Sequence, residues 1–168
     1  PHVDLERKTV EFKDLGLTTE QLKSIERVFI VACGTSFYAG MAGRYMIEEL
    51  SRVPVECDIA SEFRYRNPVV PKNSLVITVS QSGETADTLA AIRLAKKSGA
   101  LTLSICNVRA SSIDREAHGR LYMNSGPEIG VASTKAFVSS LALFNLLAIK
   151  LGQIHGYVDS TAQAAAVD

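Results

Sequence analysis

Leu-Val-Ile-Thr-Val-Ser-Gln-Ser-Gly-Glu-Thr-Ala-Asp-Thr-Leu, residues 75–89, starts as a run of strand formers and ends as the opening of a helix. Residues 75–79 are apolar or β-branched without a break, the pattern of a strand covered on both faces. Four hydroxyl side chains and a glycine follow, where the strand passes into the helix. A helix N-terminus carries unpaired N–H groups and partial positive charge, so such a junction is a natural anion site, and the hydroxyls add donors. No lysine or arginine falls within 80–88. The stretch is therefore suited to hold a phosphate with neutral donors. The helix is expected to run through Lys97. Leu89 and Ile92 point inward, Arg93, Lys96 and Lys97 share the opposite face, and Ser98-Gly99 stops it.

The same strand–helix alternation extends in both directions. The continuous apolar run at 28–32 reads as a strand, as do 54–59 and 101–106, and 120–124 as a weaker one. Thr18-Thr19-Glu20-Gln21 has the form of a capping box for a short helix to about Ile25. Cys33-Gly34-Thr35-Ser36 breaks the first strand and opens a helix to about Leu50. Gly40 and Gly43 there are expected to let the helix pack close to the sheet. Ser111-Ser112 can cap a short helix, and a long apolar helix is expected over 134–151. Unbroken apolar strands separated by helices predict an α/β fold of three αβα layers around a five-stranded parallel sheet. The prior for five such strands is the flavodoxin-like order 2-1-3-4-5, which makes the first and third neighbours and opens a ligand crevice between them. The loops after those two strands are Cys-Gly-Thr-Ser and Ser-Gln-Ser-Gly-Glu-Thr.

Composition excludes several classes. The 168 residues carry 18 basic and 18 acidic side chains, so the basic excess of a nucleic-acid binder is missing, and Arg64, Arg66 and Lys72 read as a solvated loop. Cys33, Cys57 and Cys106 are far apart and read as buried, reduced thiols. With no C-x-x-C and no His pair at i, i+4, neither a metal site nor a disulfide framework is expected. The N-terminus lacks the apolar core of a signal peptide. The most apolar stretch, 136–149, is shorter than the roughly 20 residues of a membrane span, so a cytoplasmic protein is expected. No cofactor is expected either: G-x-x-x-x-G-K-[ST] is absent, Gly34, Gly40 and Gly43 do not form G-x-G-x-x-G, and Ser82 lacks the glycine of a hydrolase elbow.

A phosphate near neutral pH carries up to two charges, and one helix N-terminus offers roughly half a charge. Helices beginning near Ser36, Glu84 and Thr134 are three candidates to converge on it. Gly34 and Gly83 permit close backbone approach, and Ser80, Ser82 and Thr85 supply hydroxyls. Glu84 is awkward beside an anion and is expected to point outward. The loop 128–132 is small and apolar, which suits packing or closure on a ligand.

Four segments carry a resemblance: Ala32 with Cys33-Gly34-Thr35-Ser36, Ala-Ser-Glu-Phe-Arg-Tyr-Arg at 60–66, the stretch 80–89, and Glu-Ile-Gly-Val-Ala-Ser-Thr-Lys-Ala-Phe at 128–137. Together, in this order and over roughly 28–151, they resemble the sugar isomerase (SIS) domains, and within them the first SIS half of the glucosamine-6-phosphate synthase family, the isomerising glutamine–fructose-6-phosphate aminotransferases. The resemblance implies that Ser80, Gln81, Ser82 and Thr85 hold the phosphate of a hexose 6-phosphate, fructose 6-phosphate or glucosamine 6-phosphate. It implies that Cys33, Gly34, Thr35 and Ser36, with Val131, Ala132 and Ser133, contact the sugar.

It further implies a glutaminase domain and a second SIS half that supply the catalytic cysteine, glutamate, lysine and histidine. None of these is matched here, so no catalytic residue is expected in this chain, and Glu84, Asp87 and Glu128 have no case as the base. The expectation is a lead-in over 1–26, a sugar-phosphate-binding domain over 27–153, and a capped helix cut short within 154–168. That describes part of a homodimeric enzyme, incomplete by itself. The alternative is a free-standing SIS domain that senses a sugar phosphate.

Overall fold

The computed structural model describes residues 2–4, 9–129 and 133–158. Strands β1 (His2–Asp4) and β2 (Thr9–Glu11) form an antiparallel pair, a feature with no counterpart in the sequence expectations. Helix α1 (Thr19–Lys23) opens on the expected capping box. The Thr18 hydroxyl accepts the Gln21 N–H, and the Gln21 side chain accepts the Thr18 N–H at 2.9 Å.

The main sheet contains β3 (Arg27–Ala32), β4 (Val55–Ile59), β5 (Ser74–Ser80), β6 (Leu101–Cys106) and β7 (Gly119–Tyr122), all parallel, in the order β4-β3-β5-β6-β7. Counting these five strands alone, the order is the expected 2-1-3-4-5. Helices α2 (Gly34–Ser51) and α6 (Lys135–His155) cover one face. The other carries α3 (Ala60–Tyr65), α4 (Ala86–Lys97) and α5 (Ser112–Glu116). Helix α3 was not foreseen, because Ala-Ser-Glu-Phe-Arg-Tyr is too short for a helical period to show.

Each strand feeds both layers because successive side chains alternate. Val28, Ile30 and Ala32 join Leu75, Ile77 and Val79 beneath Leu143, Phe144, Leu147 and Leu151 of α6. Phe29, Val31 and Val76 meet Phe63, Ala91 and Ala95 on the other side. All seven residues of β5 are buried, as its central place requires.

Gly40 and Gly43, inside α2, divide their work. A methyl group at Gly40 would press on Ile30 of the sheet, as expected. One at Gly43 would lie 2.6 Å from Phe144 Cδ1, so Gly43 serves the α2–α6 contact and not the sheet. Helix α6 is longer than the apolar run suggested. Its 21 residues are long and apolar enough to cross a membrane by length and composition, yet nine of them, including Phe144 and Leu147, are buried in this fold.

The edges are managed. On β4, Glu56 and Asp58 pair with Arg66, and Arg64 pairs with Asp87, so these two exposed arginines form ion pairs, and Arg64 lies on helix α3 and not in a loop. Beside β7, the Arg120 N–H donates to the Leu15 carbonyl at 2.8 Å.

Candidate functional site

Ala32 of β3 lies in register with Val79 of β5, so the segments beginning at Cys33 and Ser80 leave the same edge of the sheet side by side. Their helices start there too. Cys33 precedes α2 and Thr85 precedes α4, and neither side chain caps its helix. Two neighbouring helix N-termini therefore lack side-chain caps, which leaves N–H donors for an anion. Gly34 has φ +56° and Gly83 φ +70°, a region costly for side-chain-bearing residues.

The hydroxyls are arranged from within. Buried Ser80 Oγ accepts the Gly83 N–H at 2.9 Å and lies 3.3 Å from Thr85 Oγ1. Ser82 Oγ accepts the Glu84 N–H at 3.2 Å and its residue is exposed. A hydroxyl that accepts one bond still has its own proton to give, so shaping the loop leaves these groups available as donors. Gln81 is half-buried, Thr35 exposed and Ser36 half-buried. At the first turn of α4, the Thr88 hydroxyl is fully buried and has no hydrogen-bond partner.

Beneath the loop lies support that sequence reasoning did not assign. Cys106 Sγ is 3.4 Å from Ser111 Oγ and 4.0 Å from the Gln81 carbonyl, and burial raises its thiol pKa. Ile113 donates its N–H to the Gly83 carbonyl at 3.0 Å. Glu84 Oε1 accepts the Ser112 N–H at 2.8 Å, and that donor, with the Ser112 hydroxyl, holds the carboxyl below the usual carboxylate range. Glu84 thus caps the neighbouring helix α5, a more specific arrangement than pointing outward. The sequence signal was present: Ser111-Ser112 follows the strand adjacent to β5, so its helix starts beside the loop. Glu84→Ala is expected to speed amide exchange at Ser112 and Ile113 several-fold with little change in melting temperature. Hydrogen-exchange NMR checks this, and unchanged exchange would mean the bond does not hold the loop.

The expectation of three helix N-termini needs correction. Glu128 Oε1 accepts N–H groups of Thr134 at 2.6 Å and Ala136 at 3.5 Å, so the start of α6 already has a carboxylate. The Thr134 N–H is the leading cause of its lowered pKa. Ser133 donates its hydroxyl to the same carboxylate at 3.2 Å. Val131 and Ala132 lie outside the described residues, as does the helix expected beyond 158. Asp87 is paired with Arg64 at 2.9 Å. Glu84, Asp87 and Glu128 are therefore each engaged by a local partner. The cysteines are free, as expected, but only Cys106 is buried; Cys33 and Cys57 are half-exposed. Among the described residues no group of three potential metal ligands occurs.

A family model described as the SIS domain matches residues 21–150. The chain belongs to the SIS domain family. This SIS domain is 52% identical over 149 residues to a glutamine–fructose-6-phosphate aminotransferase (isomerizing) of Clostridium tetani, covering 89% of the chain and 24% of that relative. It is 55% identical over 134 residues to the protein of the same name in Chlorobaculum tepidum, covering 80% of the chain and 22% of the relative. The SIS domain thus spans about a quarter of the length of these curated relatives. Among solved structures, it superimposes on the C-terminal domain of glucosamine-fructose-6-phosphate aminotransferase from Francisella tularensis with a TM-score of 0.85 and 41% identity. That match covers 88% of the chain and 42% of the other.

Proposed function

We propose that this SIS domain is the hexose-6-phosphate-binding half of the isomerase part of a glutamine–fructose-6-phosphate aminotransferase. The observation that carries the reading is the pair of adjacent N-termini, α2 and α4, without side-chain caps and ringed by Thr35, Ser36, Ser80, Ser82 and Thr85. Two helix ends together offer roughly one positive charge, and the hydroxyls add neutral donors for the rest of a phosphate. In this reading Ser80, Gln81, Ser82 and Thr85 take the phosphate. The segments 33–36 and 131–133 face the sugar, within a binding domain over 27–153.

The names of the relatives support fructose 6-phosphate as substrate and glucosamine 6-phosphate as product. The parent enzyme is cytoplasmic and homodimeric, and carries its base, lysine and ring-opening histidine on a second SIS half. Its ammonia comes from a glutaminase domain. The carboxylates near the crevice are occupied, so isomerisation requires groups from that second half. Ser82→Ala is expected to weaken fructose 6-phosphate binding by about 1–3 kcal/mol, and fructose without the phosphate is expected to bind far less well. Titration calorimetry checks both. Equal affinity for fructose and its phosphate would overturn the phosphate cradle.

A further inference from the structure

The ion pair between Arg64 and Asp87 joins two helices beside the crevice. Asp87 is the acidic residue in the first turn of α4, two positions beyond Thr85. Arg64 belongs to the last turn of α3, which follows β4, the outer neighbour of β3. The two residues are 23 apart in sequence, and Arg64 Nη1 lies 2.9 Å from Asp87 Oδ1. The same guanidinium rests 5.0 Å from the centre of the Tyr65 ring. An aromatic face on one side and a charge-assisted bond on the other fix it at the start of α4.

The pair does little for stability. Its side chains are 41% and 34% exposed, and ion pairs open to solvent contribute little to folding. Its charge matters more. A helix end offers roughly half a positive charge, whereas an unpaired aspartate in the same turn carries a full negative one. Alone, Asp87 would more than cancel what α4 offers a phosphate. Glu84, the carboxylate within the loop, is drawn away to the Ser112 N–H of α5 and lies within the field of Arg115. Asp87 stays in the turn that faces the anion, and Arg64 is its compensating cation.

We propose that Arg64 is a positioning residue for hexose-phosphate binding, acting through Asp87 and not by contact with the ligand: it neutralises that carboxylate and so keeps the α4 N-terminus positive toward the phosphate. This rests on the reading of the crevice as the hexose-6-phosphate site. A carboxylate left unpaired in the first turn stands about 8 Å from the phosphate, and repulsion of a dianion at that range weakens binding about fivefold at low salt. Fructose 6-phosphate, titrated calorimetrically into the whole chain and its variants, is the test. Arg64→Ala is expected to weaken binding about fivefold at low salt and to lose most of that effect near 1 M salt, where the screening length is about 3 Å. The double variant Arg64→Ala, Asp87→Asn is expected to bind like the unaltered chain, and Asp87→Asn alone at least as tightly. The melting temperature of Arg64→Ala should fall by no more than about 3 °C. A double variant as weak as Arg64→Ala would overturn the proposal, because the guanidinium would then act on the ligand itself or on the packing of α3. A loss that persists undiminished at high salt would overturn it as well. So would full affinity in Arg64→Ala, and if Ser82→Ala were still weakened the crevice reading would stand. Binding that is insensitive to Ser82→Ala would remove the crevice reading and this inference together.

Discussion

Gly83→Ala is expected to abolish measurable hexose-phosphate binding and to destabilise the domain by roughly 3–5 kcal/mol. Two penalties add. The backbone at φ +70° costs a side-chain-bearing residue roughly 1–2 kcal/mol. The new methyl group would lie 2.5 Å from Ser111 Cβ and 2.7 Å from Cys106 Sγ. Ser111 and Cys106 are buried and cannot swing into solvent. The loop must instead lift, breaking the Ser80 Oγ to Gly83 N–H bond and the tie from Ile113. For a domain of this size the melting temperature should fall by about 10 °C. Gly34→Ala is the comparison: its φ is also positive, yet a methyl there meets nothing within 4 Å, so only the backbone cost applies. Thermal melts and calorimetry on both variants check this, and equal losses at the two sites would show that the space under Gly83 is not what matters.

Gly43→Ala should destabilise by about 3 kcal/mol, although helix propensity alone predicts a gain of about 1 kcal/mol. The two arguments differ in sign, which makes the variant decisive. A methyl at Gly43 would lie 2.6 Å from Phe144 Cδ1 and 2.7 Å from Cδ2 of a fully buried ring. Phe144→Leu should recover part of the loss in the double variant, and Phe144→Ala alone should cost about 3–5 kcal/mol. Denaturant unfolding of the four proteins closes the cycle. Strict additivity would mean that the methyl group does not meet the ring.

The parallel sheet was legible because its central strands are buried on both faces, so 75–79 and 101–106 carry no charged residue and their only polar side chains are the small hydroxyls of Thr78, Thr102 and Ser104. The order of the strands was a topological prior that the pairing bears out. The pair β1–β2 left no trace because three residues cannot display a period of two. Within the site, Ser80, Ser82 and Thr85 were visible as hydroxyls at a strand–helix junction. The roles of Glu84 and Glu128 were not visible. Glu84 precedes α4 but caps α5, through a partner 28 residues away, and Glu128 caps α6 from 6 residues before Thr134, farther than a side-chain cap ordinarily reaches. Capping rules are local, and a carboxylate that reaches a neighbouring helix, or the next one across a long loop, falls outside them. Gly43 was misassigned for a related reason: the helical period shows which face is small, but not whether a sheet or another helix lies against it.

The fit of Gly43 against Phe144 also bears on how the chain is made. Phe144 is translated about a hundred residues after Gly43, which at ordinary synthesis rates is a delay on the order of ten seconds. During that interval α2 already covers Ile30, but the side of α2 and of the face that packs against α6 lacks its cover. The nascent chain therefore presents part of an apolar sheet face to solvent until α6 emerges. That interval, and not the chemistry of the loop, is when the protein is most exposed to aggregation and most in need of a chaperone.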